Sequence, residues 1–298
     1  MKEWLRQLLI QTADRWEESL RYLRGAAYRL SPERSLTLAD CESENWMNTR
    51  SCFVLSTGRS GTLFLNRMLM LSPDVMAVHQ PHPELIRASK MAYENIQTRP
   101  AIFSETFKSA REELLLQAAN RNKIFVETNN RITFFAPVIR DCFPNALFIH
   151  LVRHPGDFVR SGIRRHWYSG KSSHDPGRIQ PFSGSVKEEW DTFSQIARIG
   201  WLWNETHRFI EAFKTTLPEE ACLYVRAEDL FQNSGAAESV FRFLQLPVPP
   251  VKKINKQMQR PANVQKKGAF PHYDAWQEED KETLKRFCPL AKQYGYIL

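Results

Sequence analysis

The sequence predicts an α/β fold in which one parallel sheet is covered by helices on both faces. Three observations carry this. Short apolar runs at 52–55, 75–78, 123–127, 146–152 and 221–225 are rich in β-branched and aromatic residues and bounded by turn formers, as buried strands are. Segments with apolar residues at helical spacing separate them, and strands that alternate with helices build parallel sheets. The first run passes through Ser56-Thr57-Gly58-Arg59-Ser60-Gly61-Thr62 into Leu63, Leu65, Met68, Leu69 and Leu71, a strand–loop–helix unit.

That loop is P-loop-like and suited to an anion. Gly58 and Gly61 let the backbone approach a ligand closely. The helix that follows contributes partial positive charge at its N-terminus. Arg59 adds a full charge on a bidentate fork. The loop is not a Walker A motif: two residues separate its glycines, and no Lys follows the second.

The remaining elements follow in order. Residues 1–30 carry Trp4, Leu5, Leu8, Leu9, Ala13, Trp16, Leu20 and Leu23 near a 3.6 period, with basic residues between them. They read as an amphipathic helix that packs on its own domain or makes peripheral contact with a membrane. A polar connector follows, so the organisation expected is 1–45 as helix and connector and 46–298 as the α/β domain. The second strand runs into His79-Gln80-Pro81-His82-Pro83-Glu84, where the prolines enforce an extended loop. Segments 84–97, 104–119 and 132–141 read as helices. The third strand ends in Thr128-Asn129-Asn130, and the fourth in Arg153-His154-Pro155-Gly156-Asp157 with a helix beyond. His150, inside the fourth strand, reads as a core histidine. Residues 169–185 lack periodicity and read as a mobile lid. One long helix is expected over 186–214, a shorter one over 236–245, a Pro/Lys-rich loop after it, and a final helix over 276–288.

Composition bounds the class. With 42% hydrophobic and 25% charged residues the chain reads as globular and soluble. A net charge of +8 favours an anionic partner. No nucleic-acid-binding motif appears. Five scattered cysteines without Cys/His pairing argue against disulfides and against a metal site, and fit a reducing, cytoplasmic setting. No apolar run reaches transmembrane length.

Ser-Thr-Gly-Arg-Ser-Gly-Thr paired with Leu-Val-Arg-His-Pro-Gly-Asp-Phe-Val-Arg-Ser resembles the sulfotransferases that use 3′-phosphoadenosine 5′-phosphosulfate (PAPS). Tyr224-Val-Arg-Ala-Glu-Asp-Leu230 is similar to that family's late strand near the nucleotide. Lys266-Lys267-Gly268, with Trp276 downstream, is similar to its C-terminal basic loop. The resemblance covers roughly 50–298, with the segments in the expected order. It implies that Gly58, Arg59, Ser60, Gly61 and Thr62 hold the 5′-phosphosulfate. It assigns Arg153 and Ser161, with Lys266, Lys267 and Gly268, to the 3′-phosphate. The implied reaction moves a sulfuryl group to a hydroxyl or amine of a small-molecule, saccharide or lipid acceptor, leaving adenosine 3′,5′-bisphosphate and needing no metal. Many relatives carry His-Glu-Pro after the second strand, whereas this chain has His79-Gln80-Pro81, and Gln cannot take a proton. His79, His82 and Glu84 are therefore the candidate bases, with His79 preferred. A P-loop-type kinase and a non-catalytic module that binds nucleotide or anionic lipid are the alternative readings.

Overall fold

A computed structural model describes residues 45–172, 175–260 and 269–298, together with Gln7 and Thr12. The helix expected over 1–30 and the connector after it lie outside the described residues. The elements are β1 (Ser51–Leu55), α1 (Thr62–Leu69), β2 (Val75–Val78), α2 (Ile86–Asn95), α3 (Pro100–Asn120), β3 (Ile124–Glu127), α4 (Ala136–Cys142) and β4 (Leu147–Val152). They continue with α5 (Pro155–Ile163), α6 (Ser185–Glu189), α7 (Gln195–Lys214), β5 (Cys222–Arg226), α8 (Ala227–Gln232), α9 (Ser234–Phe243), α10 (Val251–Met258) and α11 (Glu278–Phe287).

The five strands form one sheet in the order β2-β3-β1-β4-β5. Every pairing is parallel, with Cys52 opposite Leu147 on one side of β1 and opposite Val126 on the other. Alternation along β1 divides the core. Phe53 and Leu55 point into a layer with Phe107 of α3, Phe158 of α5 and Trp203 of α7. Cys52 and Val54 point into the opposite layer with Leu65 of α1 and Phe241 of α9. Both faces of the sheet are thus buried, which is why its strands read as continuous apolar runs.

Several elements differ from expectation: the helix expected over 132–141 opens as a 3₁₀ turn (Asn130–Phe135), and α8 forms where no helix is expected. The helix expected over 186–214 is broken at Phe193, which is extended (φ −70°, ψ 139°); Ser194 then caps α7, its side chain accepting from the Ala197 amide. A helix-capping Ser in the middle of an apolar pattern overrides the periodicity. The stretch read as a Pro/Lys-rich loop contains α10, which follows Pro250 and buries Ile254 and Gln257. The 169–185 stretch has little regular structure, yet it is anchored: the Tyr168 hydroxyl donates to the Ile179 carbonyl at 2.6 Å, and Ile179 is buried.

The core also holds charge. Fully buried Arg111 of α3 donates through Nε and Nη2 to both oxygens of Glu127, at 2.7 and 2.9 Å. Its Nη1 reaches the Pro83 carbonyl at 3.1 Å, and Asn129 Nδ2 donates to Glu127 Oε1 at 3.0 Å. This bidentate pair fastens the loop after β2 to the end of β3. Elsewhere, His150 Nε2 lies 2.8 Å from His207 Nδ1. Burial pushes both imidazoles down, so the pair is neutral, and Glu211 only partly offsets this at His150.

Removing one partner of a buried pair strands the other's charge. Arg111→Ala is therefore expected to cost about 3–5 kcal/mol in urea denaturation, and Arg111→Met combined with Glu127→Leu should recover most of it. Equal losses in the two variants would contradict the pairing as the source.

Candidate active site

Parallel strands place all their carboxyl ends on one edge. The connection leaving β1 runs toward β2, and the one leaving β4 runs toward β5, so the two diverge where β1 and β4 lie side by side. Open α/β sheets bind ligands at such a point. A cleft of about 740 Å³ opens there, lined by residues that follow β1, β2, β3 and β4. Its volume falls within the ~300–1,000 Å³ usual for small-molecule sites.

The first wall is the loop after β1. Gly58, Arg59 and Gly61 all adopt positive φ (75°, 55° and 91°), which curls the chain around the cleft. Gly61 stands at the N-cap of α1, where no side chain caps the helix, so its first-turn amides are left for a ligand. A Cβ on Gly61 would lie 2.7 Å from the Phe231 ring, and one on Gly58 would lie 2.9 Å from the Asn130 side chain. Both glycines are thus required by space as well as by backbone angle.

The second wall is the turn from β4 into α5. The Trp203 indole donates to the Arg153 carbonyl at 2.9 Å, and His154 caps α5 by accepting from the Gly156 amide at 3.1 Å. Arg153 Nη2 pairs with Asp157 at 3.1 Å, while its Nη1 donates to the Arg59 carbonyl at 2.9 Å. Arg59 Nε in turn donates to Ser161 Oγ at 3.3 Å, and Arg165 Nη1 donates to the same oxygen at 2.8 Å. The strand end therefore folds back beside α5, and Arg59, Arg153 and Ser161 share one place. The sequence reading sends Arg59 and Ser161 to separate ends of a ligand; here a hydrogen bond joins them.

The field in the cleft has one sign. Among the described residues, seven arginines line it (59, 131, 153, 160, 164, 165 and 178) against the single carboxylate of Asp157. Burial, with the charges of Arg165 and Arg153, lowers the Arg59 pKa to about 10. A bound anion would relieve that repulsion at Arg59. Leu63, Phe64, Phe231 and Met258 supply an apolar patch beside it.

The third wall carries the candidate base. His79 and Gln80 line the cleft. His79 Nδ1 lies 3.0 Å from Thr128 Oγ1. The Val78 carbonyl at 3.2 Å and Asn66 Oδ1 at 3.4 Å are acceptors for that hydroxyl's proton, and with the proton on either of them the oxygen accepts from His79. Nδ1 then carries the ring proton and Nε2 the lone pair. Burial lowers the His79 pKa, Arg59 and Arg67 add to this, and Glu84 and the Thr128 backbone oppose it. His82 is exposed and lies off the cleft wall. Glu84 is engaged by Arg131 Nη1 at 2.7 Å. Of the three candidate bases, the cleft wall includes His79 alone. Asn129 serves the buried Glu127, and Asn130 faces the cleft, which separates two residues the sequence leaves alike.

Lys266, Lys267 and Gly268 lie outside the described residues, although Met258 and His272 on either side of them line the cleft. Trp276 is buried against Phe270 and Tyr273, its indole donating to the Pro271 carbonyl at 3.1 Å. Sequence reasoning missed Phe231, Arg131 and Arg178. Phe231 had a signal in the helical spacing of 227–232; Arg178 sits in the aperiodic stretch and had none.

The model of the sulfotransferase family matches residues 52–250. The chain belongs to the sulfotransferase family. That match covers both arginine-bearing turns, and it makes this protein an enzyme of sulfuryl transfer. The fold of this sulfotransferase is similar to that of a sulfotransferase from Mycobacterium avium, with a TM-score of 0.51 and 12% identity over 85% of this chain and 79% of the other. A sulfotransferase from Alicyclobacillus acidocaldarius is similar at a TM-score of 0.50 and 13% identity, covering 84% and 97%. One from Mycobacterium tuberculosis matches at 0.50 and 14%, covering 89% and 80%. No curated protein matches the sequence. Among the described residues, no group of His, Cys, Asp or Glu could hold a metal ion, and no helix is long and apolar enough to cross a membrane.

Gly61→Ala tests the cradle. Positive φ at a non-glycine costs about 1–3 kcal/mol, and the methyl would also meet the Phe231 ring. We expect a lower melting temperature together with loss of stabilisation by anionic ligands. Unchanged ligand stabilisation would show that the loop is not the anion cradle.

Proposed function

We propose that this sulfotransferase takes its sulfuryl group from PAPS and passes it to an acceptor hydroxyl or amine, releasing adenosine 3′,5′-bisphosphate. The observation that carries the reading is the contact between the two turns: Arg153 bonded to the Arg59 carbonyl, and Arg59 bonded to Ser161. Guanidinium groups from two turns held in one cleft suit a cosubstrate that carries phosphate-type charge. The residues present fit such a molecule. The Gly58–Thr62 loop offers amides to the phosphosulfate, Arg153 and Ser161 flank the 3′-phosphate, and the patch around Phe231 offers a face for the base. Lys266, Lys267 and Gly268 complete the 3′-phosphate contacts on this reading.

Chemistry then follows from position and charge. His79 Nε2 accepts the acceptor's proton as its oxygen or nitrogen bonds to sulfur in line with the leaving phosphate oxygen. The S–O bond to that phosphate breaks, and its electron pair stays on the phosphate. Arg59 and the loop amides stabilise the charge that develops there. Lowering of the His79 pKa keeps the ring neutral, which a base requires.

Adenosine 3′,5′-bisphosphate should raise the melting temperature without magnesium. Stabilisation by ATP with magnesium alone would favour a kinase instead. Arg153→Ala is expected to weaken this nucleotide about tenfold or more while sparing its 3′-dephosphorylated analogue; parallel losses would misplace Arg153. Arg59→Ala should slow release of the nucleotide from PAPS by about 10²–10³.

His79→Ala should abolish turnover and leave nucleotide binding intact. Because the His79 pKa lies below its ordinary value of 6.5 in the free enzyme, more than half of the base is unprotonated at pH 6.5. The acidic limb of kcat/KM, which reports the free enzyme, should therefore be centred below that pH. A limb centred above it, or one that persists in His79→Ala, would exclude His79.

A further inference from the structure

A second, smaller cavity of about 70 Å³ adjoins the cleft, reached past Thr57 and Asn130. With about a tenth of the cleft's volume, it suits a small polar substituent such as a carboxylate or an oxyanion. Arg131 and Arg178 line both the cavity and the cleft, each with a mostly buried side chain. They stand on different elements from the two donor turns: Arg131 follows β3, and Arg178 belongs to the stretch after α5.

The way these arginines are held leaves their donors in hand. Arg131 uses only Nη1, on one oxygen of Glu84 at 2.7 Å. Arg178 uses only Nε, on Asp175 Oδ1 at 2.9 Å, with its guanidinium carbon over the Trp167 ring, 3.8 Å from the centroid. Among the described residues, Nε and Nη2 of Arg131 and both terminal nitrogens of Arg178 meet no protein acceptor. Each guanidinium thus keeps a two-donor edge, the arrangement that grips a carboxylate, sulfate or phosphate. Both guanidinium-bearing side chains line the one small cavity, which lets them serve one ligand. Ser89 adds a hydroxyl to the cavity wall that has no partner among the described residues.

We infer that the small cavity is an anion subsite for the acceptor: Arg131 and Arg178 hold a carboxylate or ester-oxyanion substituent of the molecule being sulfated, with its hydroxyl or amine turned toward His79. The acceptor of this enzyme is then an acidic one. The inference rests on the donor assignment above, because it takes the Arg59 and Arg153 turns as already committed to the nucleotide.

Benzoate and its neutral isostere benzamide probe the subsite without knowledge of the natural acceptor. The full chain is first saturated with adenosine 3′,5′-bisphosphate, and each probe is then titrated by calorimetry. Benzoate should bind about tenfold or more tighter than benzamide, the worth of one charge-assisted contact. Arg131→Gln and Arg178→Gln should each remove most of that preference while changing nucleotide affinity less than about twofold. Arg178→Lys, which keeps the charge, should retain part of it and controls for loss of packing on Trp167. Equal binding of the two probes, or no binding of benzoate, overturns the inference and leaves the donor assignment standing. Loss of nucleotide affinity in Arg178→Gln would instead give this guanidinium to the donor, overturning the inference. Failure of the nucleotide to bind the unaltered chain sinks the donor assignment, and the subsite with it.

Discussion

The hydrogen bond from Arg153 to the carbonyl of Arg59 makes one site out of two loops. It crosses from the turn after β4 to the turn after β1, the adjacent strands at which the connections diverge. The guanidinium is held in place by a backbone carbonyl and by Asp157, and swinging out to solvent gives up both bonds. The Trp203 indole holds the same residue from behind, through its carbonyl. The position of the cationic cluster is therefore a property of the sheet and α7 together, not of flexible side chains.

Concentrating arginines in this way opposes folding. The lowered pKa of Arg59 records it: partial burial and two like charges disfavour the very protonation the site needs. Arg153, Arg131 and Arg178 are each steadied by one carboxylate, from Asp157, Glu84 and Asp175. Those acids lie beside the arginines in sequence or on a neighbouring loop, so the cluster carries enough counter-charge to fold while keeping a positive surface toward the cleft.

Much of this was legible in the chain. All five strands and the loop between Leu55 and Thr62 could be read because a strand buried on both faces leaves an unbroken apolar signature, and glycines mark positive φ. Ser194 shows where periodicity misleads: a capping hydroxyl ended one helix and began another inside a continuous apolar pattern. The choice between Asn129 and Asn130 could not be read, since it depends on which one turns toward a carboxylate in the core. His79 could be nominated by type but not separated from His82 and Glu84, because exposure and the Arg131 pairing are tertiary facts. Arg178 was invisible for the same reason, lying in a stretch whose structure comes from Trp167 and Ile179 rather than from local pattern.

Arg111 ties two properties that are usually separate. Its guanidinium grips Glu127, the last residue of β3, and also the Pro83 carbonyl in the loop that begins with His79. Thr128, which orients the His79 ring, comes next in the chain. A single buried cation thus sets both the cohesion of the interior and the aim of the imidazole. On the proposed role of His79, heat that loosens α3 from the sheet would also free the ring whose aim that chemistry needs.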